Sequence, residues 1–196
     1  MPDSHQQTPL LPDWEAEKAK LLRRLHALPP VETPIGNPPA TLRIVLATAA
    51  ESPRVLEIMQ AAFAEYVGVL DPPSGVDTET IPEVERALEE GGNLLAWDGD
   101  VAVASARYRL LPEHLYVGRL AVLPDQRGRG IASAIMQTME TLARAAGRTQ
   151  VSLGTRQRLP KNIALYRKLG YEITKSHQHP RGKDIIVWLT KNLEED

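Results

Sequence analysis

Apolar residues recur at helical spacing early in the chain, at Trp14, Leu21, Leu22, Leu25 and Leu28, with Asp13 placed to cap the run and Pro29-Pro30 to stop it. This predicts a short amphipathic helix. The following stretch, "PPVETPIGNPPA", is too rich in Pro for a regular element and reads as a stiff, extended linker. Residues 1–40 are therefore expected to be an appended helix and linker, and residues 41–196 the compact domain. Within it "TLRIVLAT" reads as a strand, and Pro53 to Tyr66 as a helix with Ser52 as cap and Pro53 at its first position. "LDPPSGVDTET" reads as a loop. Pro82 to Glu90 predicts a second helix stopped by Gly91-Gly92, and "NLLAW", "DGD" and "VAVASARYRL" then read as a hairpin. "HLYVGRLAVL" predicts a strand, Gly130 to Ala146 a long helix stopped by Gly147, and "TQVSLGT" another strand, so a helical crossover implies a parallel pair. Asn162 to Leu169 predicts a helix ended by Gly170, and "YEITKSH" and "DIIVWLT" an antiparallel pair around "PRGK". The fold class is α/β in the α+β sense: one domain with a mixed, largely antiparallel central sheet flanked by helices. There is no internal repeat.

Composition narrows the classes. The 196 residues suffice for one ordinary core, and 42% hydrophobic with 24% charged residues is the balance of a folded protein. A net charge of −2 offers no global field for a polyanion, so no nucleic-acid partner is expected. The absence of Cys excludes disulfides, a thiolate nucleophile and Cys-ligated metal, and fits a reducing compartment. "MPDSHQQTPLLPDWEAEK" lacks a basic-then-apolar signal pattern and no run approaches a membrane span, so a cytoplasmic protein with no membrane partner is expected. The apolar stripe of the first helix must bury itself, and packing within the chain or in a homodimer is the expectation.

The candidate chemistry starts at "VLPDQRGRGIASAIMQ". Gly128 and Gly130 lack a β-carbon, so the backbone can turn tightly and converge its amides on a bound group. The helix that begins there adds unpaired N–H groups and a positive dipole end, and Arg127 and Arg129 add full charges. A phosphate or pyrophosphate is the natural guest. The alternative is a tight strand-to-helix turn with solvated arginines. No Gly-Lys-Ser/Thr ending makes a P-loop here, and Ser133 stands where a dinucleotide fingerprint has its third Gly.

"RGRGIA", Arg127 to Ala132, resembles the Arg/Gln-x-x-Gly-x-Gly/Ala loop of the GNAT superfamily of acyl-CoA-dependent N-acetyltransferases. The preceding "RLAVLPDQ" is similar to that family's fourth strand and its outgoing turn, and "NIALYRKLGYE", Asn162 to Glu172, to its closing helix-and-strand motif. The resemblance implies a GNAT-like fold from Thr41 to Lys191 and acetyl-CoA as co-substrate. It implies that Arg127, Gly128, Arg129, Gly130, Ile131 and Ala132 cradle the CoA pyrophosphate, and that the backbone of Leu120, Ala121 and Val122 pairs with the pantetheine arm. It places Asn162 near that arm, where the residues alone read as a helix cap. Tyr166 becomes the proton donor to the departing thiolate, where the residues alone read as an amphipathic core tyrosine.

The implied activity is acetyl transfer to a primary amine of a small molecule or peptide by direct attack. A CoA-binding regulatory module without turnover is the alternative, and a partner-binding α/β domain whose turn binds nothing is a second rival. Glu113, His114 and Tyr116 could each reach the acceptor side, and Arg119 cannot serve as a base, so the base is unassigned. His177 and His179 share a strand face but have no third ligand, and no metal is expected. Ala64 to Asp77 is expected to cover the acceptor pocket, with Asp71, Asp77 and Glu79 read either as attractors of a cationic amine or as a solvated acidic loop.

Overall fold

Thirteen elements follow one another in a computed structural model that describes residues 13–36 and 39–193; the readings made of residues 1–12, Asn37 and Pro38 lie outside it. They are α1 (Trp14–His26), β1 (Val31–Ile35), β2 (Ala40–Leu46), α2 (Ser52–Phe63), α3 (Ile81–Glu90), β3 (Gly91–Asp98), β4 (Val101–Leu110), β5 (Leu115–Val122), α4 (Ile131–Ala145), β6 (Gln150–Arg156), α5 (Pro160–Lys168), β7 (Glu172–Gln178) and β8 (Ile185–Asn192). Among the described residues the strands form one sheet in the order β1-β2-β3-β4-β5-β6-β8-β7. Every pair is antiparallel except β5 with β6, which α4 connects, as the crossover predicted.

Two cores sit on opposite faces of this sheet. Neighbouring strand residues point to opposite sides, so Leu94 joins α1 and α4 in one cluster while Leu95 joins Val55, Ile58 and Met59 of α2 and Val84 of α3 in the other. The apolar stripe of α1 is covered within the chain: Trp14, Leu22 and Leu25 belong to the first cluster, and the Arg148 guanidinium lies 5.2 Å from the Trp14 ring centre. Each such side chain contributes about 1.5–3 kcal/mol on burial.

Three local readings change. The Pro-rich stretch is extended, but Val31–Ile35 is hydrogen-bonded as a strand against β2, so residues read as linker are part of the sheet. Pro34 is tolerated because β1 is an edge strand, where a missing N–H costs no ladder bond on the open side. Ser52 is not the cap of α2. The chain enters that helix through a 3-10 turn, Ala49–Glu51, closed by Glu51 accepting from the Thr48 amide at 2.7 Å, and Ser52 is buried inside the helix. Asn162 lies in the first turn of α5, which opens at Pro160, so it caps nothing.

Candidate active site

The site begins where the sheet splits. Leu115–Val117 pair in parallel with Val151–Leu153 and the ladder stops there, although β5 continues to Val122 and β6 to Arg156. The cause lies in β5 itself. Arg119 has φ 54°, a conformation costly for a residue with a β-carbon, and the β4–β5 register shifts opposite it, between Ser105 and Arg107. Beyond the break, Ala121 and Val122 remain paired to β4 and Leu120 lies in the register shift, and none of the three has a ladder partner on β6.

Arg119 is held in that conformation from outside the strand. Its Nε donates to Glu79 Oε2 at 3.0 Å, and Arg107 Nη1 meets Glu79 Oε1 at 2.5 Å. The Glu79 side chain is 5% exposed. The reading of Glu79 as solvated acid or amine attractor is thus corrected: its charge is spent on two guanidiniums. Asp77 is exposed, and Asp71 is engaged through its backbone.

At the end of the split, Gly128 and Gly130 adopt φ 79° and 86°, and Gly130 serves as the left-handed entry to α4 with no side chain capping the helix. The first-turn amides therefore lack partners, and the space over both glycines is open for 4 Å around where a β-carbon would stand. Side chains do less here than expected. Arg129 pairs with Asp98 at 2.8 Å, also donates to Gln126, and does not line the cavity. Arg127 reaches the cavity, but its donors go to Glu65 at 2.6 Å, Ala62 O at 3.0 Å and Val122 O at 3.2 Å. Both charges are committed to the protein, which leaves the anion-binding capacity of the turn to its amides.

One cavity of about 1300 Å³ joins these parts. Leu120, Ala121, Val122, Arg127, Gly128 and Gly130 line it, as do Ile131, Ala132, Asn162 and Tyr166, so all the expected site residues except Arg129 are brought together. Tyr166 is 8% exposed and packs edge-on against Tyr171, with ring centres 6.3 Å apart. Burial first, then the neighbouring Tyr66 and Tyr116 phenols, push its pKa well above the usual tyrosine value, so it stays protonated. Tyr66 is also pushed up, by burial and Glu65, a rise tempered by the Asn162 side chain beside it. Tyr116 lines the cavity, with its ring 5.8 Å from that of Trp188, whereas Glu113 and His114 do not line it. The segment from Ala64 to Asp77 contributes Glu65, Tyr66, Leu70, Ser74 and Gly75 to the wall.

That segment is fastened to the β7–β8 turn. Asp184, buried, accepts from the Asp71 amide at 3.0 Å and forms an ion pair with Arg158, which also donates to Val69 O at 2.9 Å. Gly182 lets the two backbones touch, because a β-carbon there would lie 2.5 Å from the Asp71 carbonyl carbon and closer still to Pro72. Gly182→Ala is expected to cost about 1–3 kcal/mol through this clash, seen as a Tm lowered by about 2–12 °C; an unchanged melting curve would contradict the contact. No group of three His, Cys, Asp or Glu suited to a metal occurs among the described residues, and no helix among them is long and apolar enough to cross a membrane. Glu79 and the left-handed Arg119 carry no local signal in the sequence.

Comparison with known proteins agrees with this arrangement. Residues 55–171 match the family described as "Acetyltransferase (GNAT) family". Acetyltransferase SG1711 of Sodalis glossinidius (strain morsitans) is 36% identical over 77 residues, which are 39% of this chain and 48% of that protein; the chain thus spans about half that relative's length. Ard1 from Thermoplasma volcanium superposes with a TM-score of 0.66 at 18% identity, covering 79% of this chain and 99% of that one. The yncA protein of Salmonella typhimurium, solved with its cofactor acetyl-CoA, gives 0.61 at 17% identity, covering 79% and 95%. At these identities the structures speak for the fold.

Proposed function

Since this chain belongs to the GNAT acetyltransferase family, we propose that it moves an acetyl group from acetyl-CoA to a primary amine by direct attack. The observation that carries the reading is the split between β5 and β6, with an open amide turn at one end of a single cavity and a protonated tyrosine lining it. The CoA diphosphate would sit on the amides of residues 127–132 at the start of α4, without help from Arg129. The pantetheine amides would pair with the free edge of Leu120, Ala121 and Val122 as an added strand, beside Asn162. The thioester would then lie near Tyr166.

The proton balance is simple. A neutral amine attacks the carbonyl carbon, the C–N bond forms, the C–S bond breaks, and one amine proton is left over while the sulfur needs one. Tyr166 donates its hydroxyl hydrogen bond to the sulfur as negative charge gathers there. The acceptor must react as free amine, and the arginines that line the cavity favour loss of the ammonium proton by repulsion.

Calorimetry with acetyl-CoA and a thiol-release assay with an amine panel test this together. Saturable acetyl-CoA binding with amine-dependent thiol release is expected. Binding without release under any amine would favour a regulatory module, and no binding would remove the acetyl-CoA reading altogether.

A further inference from the structure

The cavity carries more guanidinium than its carboxylates neutralise. Arg86, Arg107, Arg109, Arg119, Arg156 and Arg158 all line it. Glu79 is shared between Arg107 and Arg119, Glu83 lines the cavity within reach of the Arg86 and Arg107 charges, Glu90 stands 3.9 Å from Arg109, and Asp184 is committed to Arg158 and the Asp71 amide. Arg156, the last residue of β6 and opposite Ile186 of β8, makes no ion pair among the described residues, and its Nη1 is buried without an acceptor. Burial without a full counter-charge pushes its pKa down, with nearby Asp184 offsetting only part.

Its neighbours are donors too. Trp188 Nε1 is buried without an acceptor, on a ring that lines the same cavity. His179 also lines it; its Nδ1 accepts from the Arg181 amide at 3.1 Å, so the neutral ring carries its proton on Nε2 and offers a donor rather than a base. Burial and the Arg156 charge keep that ring neutral. Water can satisfy a neutral donor, but a half-buried guanidinium with one nitrogen shut away from any acceptor also favours opposite charge.

We propose that the acceptor carries an oxyanion, a carboxylate or a phosphate, in addition to its amine, and that this group docks on Arg156 with Trp188 and His179 as further donors. The proposal rests on the acetyl-transfer reading above and names the substrate class for it. A second anchor on Arg156 would fix the amine's approach to the thioester, where a monofunctional amine could rotate.

Calorimetry on the CoA-saturated protein measures acceptor binding without turnover. The probes are matched pairs, 4-aminobutyrate against 4-aminobutanamide and phosphoethanolamine against ethanolamine, with 1,4-diaminobutane as the cationic case. At least one anionic member is expected to bind about tenfold or more tightly than its neutral partner, and which pair shows it separates carboxylate from phosphate. Arg156→Gln is expected to bring that pair within about twofold, and Arg156→Lys to keep part of the preference, since it retains the charge but not the planar fork. If neither anionic amine binds more tightly, or the preference survives intact in a folded Arg156→Gln protein, the proposal is overturned. The wild-type comparison decides this even where a variant does not fold. A preserved anion preference with no thiol release would sink the transfer reading and leave the anion site standing.

Discussion

Tyr166→Phe is expected to lower kcat about 100-fold and to leave the Kd for CoA within about threefold. The split follows from what the change removes. Phe keeps the ring that packs against Tyr171 and the apolar bulk of α5, so the cavity wall survives, while the hydroxyl proposed to meet charge on the leaving sulfur is lost. In the proposed reading CoA is bound by backbone amides and the β5 edge, which the substitution does not touch. Stopped-time thiol release and calorimetry measure the two quantities, and an unchanged kcat would take Tyr166 out of the acid role. The pH profile adds a second readout. Burial holds the Tyr166 phenol protonated to well above its ordinary pKa, so it adds no falling limb below about pH 10. The wild-type rate is expected to climb with pH as the acceptor ammonium loses its proton.

Glu79→Gln is expected to destabilise the fold by about 3 kcal/mol, lowering Tm by about 6–12 °C for a chain of this size. The amide keeps the volume and removes the charge, leaving Arg107 and Arg119 side by side with no carboxylate between them. Exposure of these arginines, 16% and 33% by side chain, keeps the cost at the lower end of the range for breaking a buried pair. The effect also reaches function. Arg119 is the left-handed residue at which β5 parts from β6, and loosening its guanidinium lets the strand relax toward regular pairing. A higher Kd for acetyl-CoA is therefore expected alongside the lower Tm. Thermal unfolding and calorimetry check both; a variant as stable as wild type would mean that the two arginines find other partners.

The α4 crossover and its parallel strand pair were readable because a long amphipathic period bounded by Gly130 and Gly147 is local information. Pro34 misled, since Pro density signals irregular backbone except on an edge strand, and edge position is a property of the assembled sheet. The cavity-lining residues Leu120, Ala121 and Val122 and those of the glycine turn, with Asn162 and Tyr166, were readable as motifs, whereas the destinations of Arg127 and Arg129 were not. Glu65 and Asp98, which take those charges, lie 62 and 31 positions away by numbering (127 − 65 and 129 − 98). Long side chains turn toward whatever opposite charge the fold delivers.

By itself the amino-acid order determined the succession of elements from β2 onward, the open glycine turn at the mouth of α4 and the positions of the tyrosine and asparagine on α5, because each depends on neighbours within a few residues. Only the tertiary structure decided that the sheet parts at Arg119, that Glu79 serves two arginines instead of a substrate, and that Arg156 makes no ion pair among the described residues. Those outcomes depend on which charges meet across distant strands and loops, and burial makes each unmatched one costly enough to shape the site.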